Sequence, residues 1–323
     1  MKRNPLIVTI FTLLFGIFAS AQVQETKTTN LMGSVFQITI VDKDSSAAHE
    51  KIEKAINEIE RIENLISEWR PQTQISNVNN SAGISAVKVD SEVVAITQKG
   101  LYFSEITKGA FDLSIVAMDR IWKFDGTMTE LPSKREIRKS IAKVNYKNIF
   151  LDSKNSTIFL TEKGMKMGFG SIGKGYAADK ARTLMQALGV KSGMINAAGD
   201  IATWGTQMDG EPWRIGVNNP FETGETIEIL EFSSDKAVTT SGNYEKFAEI
   251  KGKRYSHIIN PKTGIPSTDL TSVTIIGKSA EMCNGFSTSI MVLGRKKGIK
   301  LMRKNPEYHY IILTNDGKVI KNF

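Results

Sequence analysis

Four isoleucines, Ile52, Ile56, Ile59 and Ile66, recur at helical intervals along an otherwise charged stretch. That spacing puts them on one face and predicts a long amphipathic helix ending near Trp69. Just upstream, residues 35–41 alternate apolar and polar positions in the manner of a strand. A second helix is predicted from Glu92 to Thr107. Residues 148–151 and 157–160 flank a Lys, Asn, Ser turn and predict a hairpin, and Lys174 to Leu188, with Gly189 after it, predicts a capped helix. The second half continues in this style, with strands over 214–217, 227–232, 272–276 and 309–314 and a helix over 280–293. An Asn, Asp, Gly turn joins the strand at 309–314 to a short one at 318–321. Tight turns between neighbouring strands, with helices set between groups of strands, predict an α+β fold. Its sheets are expected to be antiparallel or mixed and flanked by helices, rather than parallel and doubly wound.

Composition agrees with a packed protein. Of 323 residues, 41% are apolar and 24% charged, too apolar a balance for disorder. No Pro, Ser or Gly linker separates independent units, so residues 22–323 read as a single domain of two intimately packed halves. The first 21 residues read differently. Lys2 and Arg3 precede an apolar run over residues 6–18, and Ala19, Ser20 and Ala21 form an A-x-A cleavage site. The run is shorter than the roughly 20 apolar residues that span a bilayer. Residues 1–21 are therefore an expected signal peptide, and the mature chain from Gln22 is expected outside the cytoplasmic membrane, in the periplasm.

The formal net charge of +8 falls to +6 without Lys2 and Arg3. With acids and bases interspersed, that surplus does not point to nucleic acid. The densest basic run, Lys134, Arg135, Arg138, Lys139 and Lys143, follows Ser133 and includes Glu136 in an S-x-x-E capping box, so it reads as one solvated helix face. Cys283 is the only cysteine and reads as a small buried apolar residue.

The chemistry-bearing motifs begin with absences. No G-x-G-x-x-G after a strand, P-loop, H-E-x-x-H or G-x-S-x-G is present. Two segments stand out instead. YSHIINPKTG, Tyr255 to Gly264, sets one of three histidines beside a Pro, Thr, Gly turn, and TTSGNYEKF, Thr239 to Phe247, is a run of hydroxyls and glycine. Together they offer an imidazole, hydroxyl donors and close backbone approach, the ingredients of a phosphate or pyrophosphate site. SIGKGYAAD, Ser171 to Asp179, places glycines around Lys174 at a helix start, where exposed N–H groups favour anions; alone, such a turn is as readily structural.

These two segments resemble paired motifs of the ApbE family of flavin transferases, which move FMN from FAD onto a threonine or serine of another protein. The resemblance runs from about Leu31 to the C-terminus. It includes MGSVFQITI from Met32, ISEWRPQTQISNVNN from Ile66, GAFDLSIVAMDRIWKF from Gly109, SIGKGYAAD, INAAGDIATWG from Ile195 and NGFSTSIMVLG from Asn284, in matching order. It implies an ApbE-like, T-fold-related fold, FAD as substrate, Mg²⁺ as cofactor and an acceptor flavoprotein with a Thr or Ser flavinylation site.

Residue by residue, the resemblance implies that Met32, Asn79, Asp112, Lys174, Asp200, Thr240, Ser241, Gly242, His257 and Thr263 bind the flavin nucleotide. It implies Ser171, through its carbonyl, Asn284 and Thr288 as metal ligands; four residues apart on a helix, the last two share a face. His257 is the implied catalytic residue, as general base on the target hydroxyl or as a group that orients the pyrophosphate. Asp200 contacts the ligand or caps a turn, and Lys174 pairs with a phosphate or with an acidic side chain. Three positions depart from the family pattern. The usual metal aspartate is Asn284, an acidic position before the glycine and lysine segment is Gly168, and a paired glycine is Ala198. Asn284 brings oxygen without charge, so weaker metal binding is expected. An FAD-binding protein that no longer transfers, or a pyrophosphatase releasing FMN and AMP, are the alternatives to a transferase.

Overall fold

The segment Val23–Leu31 is rich in threonine and charge and carries no apolar stripe, yet it forms the first strand, β1, of the largest sheet. It pairs along its whole length with β2 (Ser34–Asp42). As an edge strand it sets only part of its side chains against the protein, which is why its sequence shows so little pattern. The protein is described by a computed structural model over residues 22–323 except Thr223 and Glu245; the expected signal peptide, residues 1–21, lies outside the described residues.

After β2 come α1 (Ser45–Ile66), α2 (Gln74–Asn80), the short β3 (Val87–Lys88) and α3 (Ser91–Ile106). Helix α4 (Lys134–Ser140), β4 (Ile149–Asp152) and β5 (Thr157–Leu160) lead to α5 (Gly173–Ala187). Five strands follow: β6 (Ser192–Ala197), β7 (Asp200–Trp204), β8 (Trp213–Asn218), β9 (Thr226–Phe232) and β10 (Lys236–Gly242). Then come β11 (Phe247–Ile250), β12 (Lys253–Ser256), β13 (Leu270–Gly277), α6 (Ala280–Met302), β14 (His309–Thr314) and β15 (Val319–Lys321).

The main sheet runs in the order β1-β2-β6-β7-β10-β13-β14-β15, and every named strand pair among the described residues is antiparallel. The α+β expectation holds. The capping box of α4 is present, with Ser133 and Glu136 bonding each other's backbone N–H. Two boundaries move. Helix α1 stops at Ile66, short of Trp69, because Ser67 turns to extended backbone while its N–H closes on the Glu63 carbonyl. Helix α6 continues past Leu293 to Met302 through a kink at Gly294.

Strand β13 is buried on both faces. Ile275, with Ile312 of β14, joins the cluster containing Ile38, Ile59 and Phe286, whereas Ile276 and Ile311 point the other way and meet Ile215, Val217 and Leu230 of the β8–β9 hairpin. The period of two in a strand separates these sets, and each such apolar side chain adds about 1.5–3 kcal/mol on burial. Cys283 is buried in the first cluster, as expected. Helices α5 and α6 touch at their first turns. A Cβ at Gly175 would lie 2.5 Å from the Ala280 carbonyl oxygen, and Asp179 accepts from Ser279 Oγ (2.7 Å) and from the Glu281 N–H (3.0 Å). This fixes where the first turns of α6 present their polar side chains.

The β6–β7 turn contains Ala198 at φ 52° and Gly199 at φ 90°. Two positive φ values match the tight turn that the twist of a hairpin favours. Gly199 adopts this freely, but Ala198 crowds its Cβ against the backbone, at a cost of about 1–2 kcal/mol. Ala198→Gly is therefore expected to stabilise the protein by about 1 kcal/mol, less the extra flexibility that glycine gives the unfolded chain. Urea unfolding checks this, and a lower midpoint for the variant would count against strain at Ala198.

Candidate active site

The β6–β7 turn carries the first element of the site. Lys174, in the first turn of α5, donates to Asp200 Oδ2 at 2.8 Å and to the Ala197 carbonyl at 3.3 Å. Asp200 is buried, so the ammonium supplies the counter-charge that a dehydrated carboxylate requires. Asp200 is thus the acidic partner that one reading of Lys174 expects. The turn is closed by Asn196 Oδ1, which accepts from the Gly199 N–H at 2.8 Å.

Two expected ligand residues, Asn79 and Asp112, bond to nearby backbone. Asn79 clamps Met167 from both sides, its Oδ1 accepting from the Met167 N–H (2.8 Å) and its Nδ2 donating to the Met167 carbonyl (3.0 Å). Asp112 is buried and accepts from the N–H (2.8 Å) and hydroxyl (2.6 Å) of Ser114 and from the Tyr146 N–H (2.9 Å). Burial raises its pKa, against the pull of these donors. Asp112 shapes its turn in this way because a short acidic side chain there readily captures nearby N–H groups.

A cavity of about 430 Å³ opens beside Lys174 and is lined by Met32, Glu68, Trp69, Phe169 and Lys246, among others. Met32 sits at φ 50° in the β1–β2 turn and donates its N–H to Glu63 Oε2 at 3.2 Å. The Trp69 ring is 70% exposed, with the Arg120 guanidinium 4.5 Å from its centroid. Such a wall offers a flat face to a ring ligand. A larger cleft of about 740 Å³, lined by Lys108, Lys262, Lys297, Lys300 and Lys304 among others, lies elsewhere and contains none of the expected site residues. Of the expected site residues, Met32 and Lys174 line the smaller one.

The hydroxyls of the TTSG segment lie on strand β10, not on a turn. Thr240 Oγ1 bonds Thr274 Oγ1 at 2.8 Å across the β10–β13 pair, and Ser241 Oγ lies 2.8 Å from Ser287 Oγ and 3.4 Å from Thr288 Oγ1 on α6. Gly242 leaves room for the Tyr244 ring. One turn before Thr288, Asn284 is buried and its Oδ1 has no hydrogen-bond partner. A dehydrated amide oxygen without a donor is costly, and a cation satisfies it as well as an N–H does. The neighbouring donors are hydroxyls, so the set suits a hard, oxygen-preferring ion but carries no charge of its own. Ser171 lies in the turn preceding α5, whose Gly175 packs on the start of α6. Among the described residues no group of three or more His, Cys, Asp or Glu forms a metal cluster.

His257 follows β12, at the base of the β11–β12 hairpin, where its backbone N–H donates to the Lys246 carbonyl (3.0 Å). Its Nδ1 lies 3.1 Å from that same oxygen. A carbonyl only accepts, so this contact requires Nδ1–H and leaves the lone pair on Nε2. The side chain reaches solvent, yet protein around the ring desolvates it and lowers its pKa; the backbone contact at Lys246 opposes this, while the ammoniums of Lys246 and Lys174 add to it. Desolvation thereby favours the neutral imidazole.

The rest of the SHIINPKTG segment is anchored by Trp122, which stacks on Tyr255 and donates Nε1–H to the Gly264 carbonyl at 2.9 Å. Thr263 is exposed, and its hydroxyl accepts from the Ile265 N–H at 3.3 Å, which makes it part of the turn. Glu68 and Lys246 line the cavity but are not among the residues the sequence motifs indicate. Lys246 gives no signal beyond its place beside the hydroxyl run; Glu68 had one, the missing carboxylate at Gly168.

The family model described as "ApbE family" matches residues 32–312. An FAD:protein FMN transferase of Klebsiella pneumoniae is 28% identical over 291 residues, covering 90% of this chain and 89% of that protein. One of Treponema pallidum is 27% identical, with 90% and 84% covered. Among solved structures, the ApbE protein of Thermotoga maritima superposes with a TM-score of 0.83 at 28% identity, over 93% of this chain and 97% of that one. The apo flavinyl transferase ApbE of Pseudomonas stutzeri gives 0.79 at 27% identity, over 93% and 94%.

Proposed function

This chain belongs to the ApbE family, and we propose from that premise that it is an FAD:protein FMN transferase. The observation that carries the reading is His257, whose Nδ1–H contact with the Lys246 carbonyl leaves Nε2 to accept a proton, next to the Lys246 that lines the cavity. The hydroxyl of a threonine or serine in an acceptor protein attacks the FMN phosphorus of FAD, and its proton passes to Nε2. A P–O bond to the acceptor forms, the P–O bond to the AMP phosphate breaks, and AMP leaves. Because the charge develops on phosphate oxygens, the protein acts mainly by orienting FAD and the hydroxyl in line. Asn79, through Met167, and the Lys174–Asp200 pair hold the backbone that does this.

Asn284, Thr288 and the Ser171 carbonyl would hold Mg²⁺, and the orphaned Asn284 oxygen supports that assignment. When bound, the ion supplies positive charge against the phosphate oxygens. Asn284→Asp is expected to lower the Mg²⁺ concentration for half-maximal activity, because a carboxylate adds a full charge, and Thr288→Ala to raise it. Activity of the parent undiminished by EDTA would remove these residues from the metal site.

The transfer reading is tested by chromatography of FAD reactions. AMP release that requires an acceptor protein supports it; equimolar FMN and AMP without acceptor would point to the pyrophosphatase. We further propose that the mature chain works outside the cytoplasmic membrane, as the leader at residues 1–21 suggests; no described helix is long and apolar enough to cross a membrane.

A further inference from the structure

Glu68 follows the end of α1 and lines the cavity with Trp69, Phe169 and Lys174. Gly168 stands against it. A Cβ at residue 168 would lie 2.8 Å from Glu68 Cδ, and 3.0 and 3.1 Å from the two carboxylate oxygens, so the Glu68 carboxylate would have to move aside. The backbone there does not need glycine, since its φ is outside the left-handed region. What glycine provides is space for the carboxylate.

The notch is also rigid. Asn79 grips Met167 at both N–H and carbonyl, and the Gly168 N–H donates to the Leu113 carbonyl at 3.0 Å. Other carboxylates at the cavity and its edge have cations: Glu63 meets Arg70 at 3.0 Å and Asp200 meets Lys174 at 2.8 Å. Glu68 has no ion pair among the described residues, and burial raises its pKa against the pull of its own backbone N–H and of Trp69. A partly dehydrated carboxylate without a cation, beside an aromatic wall, is an acceptor suited to a ligand donor.

We propose that Glu68 accepts a hydrogen bond from the N–H of a flat heteroaromatic ring of FAD, seating that ring against Trp69 and supplying from the loop after α1 the carboxylate absent at Gly168. The inference rests on the transferase reading for its ligand. Two rings of FAD carry such a donor, the imide N–H of the isoalloxazine and the amino group of adenine.

Binding of FAD, FMN and ADP to the full mature chain, measured by calorimetry, tests it. Glu68→Ala is expected to weaken FAD binding roughly ten- to a hundredfold, the range for a hydrogen bond to a charged group. An equal loss for FMN with ADP unchanged assigns the isoalloxazine, and the reverse assigns adenine. Gly168→Asp in the parent should also weaken FAD, by crowding Glu68. In the Glu68→Ala background it should restore affinity to within roughly threefold of the parent, because the two sites share one space and one charge. Thermal melts should show Glu68→Ala as folded as the parent. A folded Glu68→Ala protein with parental FAD affinity would overturn the inference and leave the transferase reading intact; a parent that binds no FAD would overturn both.

Discussion

Replacing His257 with alanine is expected to slow FMN transfer on the order of 10²-fold or more while leaving FAD affinity within about twofold, the pattern of a group that acts in the transition state. The Nδ1–H contact with the Lys246 carbonyl fixes the tautomer, so Nε2 presents its lone pair to an incoming hydroxyl. Only the neutral ring accepts the proton, and desolvation lowers its pKa with help from Lys246 and Lys174, over the opposing backbone contact. Activity governed by His257 should therefore persist as pH falls through the ordinary histidine range and decline only at more acid pH. A pH profile of kcat/KM for parent and His257→Ala separates this from a structural role: the parental acid limb should vanish in the variant. Parental rates from His257→Ala would leave the imidazole without a part in transfer.

The second large effect is expected at Asp200. Removing the carboxylate in Asp200→Ala leaves the Lys174 ammonium partly buried without its close partner, and loss of one member of such a pair costs roughly 3 kcal/mol once Lys174's remaining exposure is allowed for. Lys174 also reaches the Ala197 carbonyl, so the β6–β7 turn should loosen and FAD binding fall with stability. Lys174→Met added to Asp200→Ala removes both charges and should recover much of the stability, though not the binding. Urea unfolding of the two variants decides it. If the double variant is no more stable than Asp200→Ala, the unpaired lysine is not the source of the loss.

The parts of the fold that were legible in the sequence are those where one side chain period dominates. The isoleucines of α1 and the alternation in β2 mark buried faces that local spacing reveals. Strand β1 escaped because its partner, not its own pattern, holds it in the sheet. At the site, the residue types were legible but their duties were not. Asp112 and Thr263 sit in the right motifs, and the structure turns both toward neighbouring backbone N–H groups, which short polar side chains capture readily. Asn79 is held to the Met167 backbone, a contact spanning 88 positions that no local pattern encodes. Glu68 lay hidden for the same reason. Its significance depends on an absent side chain a hundred positions away, and only the packing at Gly168 joins the two.

The central claim is transfer of FMN to another protein, and covalent labelling tests it most directly. Mature protein, FAD and Mg²⁺ are incubated with a candidate acceptor from the same source, and the acceptor is then followed by in-gel flavin fluorescence and intact mass, with AMP measured alongside. The account predicts an acceptor heavier by one FMN less water, attached at a threonine or serine, with one AMP per adduct and almost none from His257→Ala. Steady release of free FMN and AMP with the acceptor mass unchanged would contradict it.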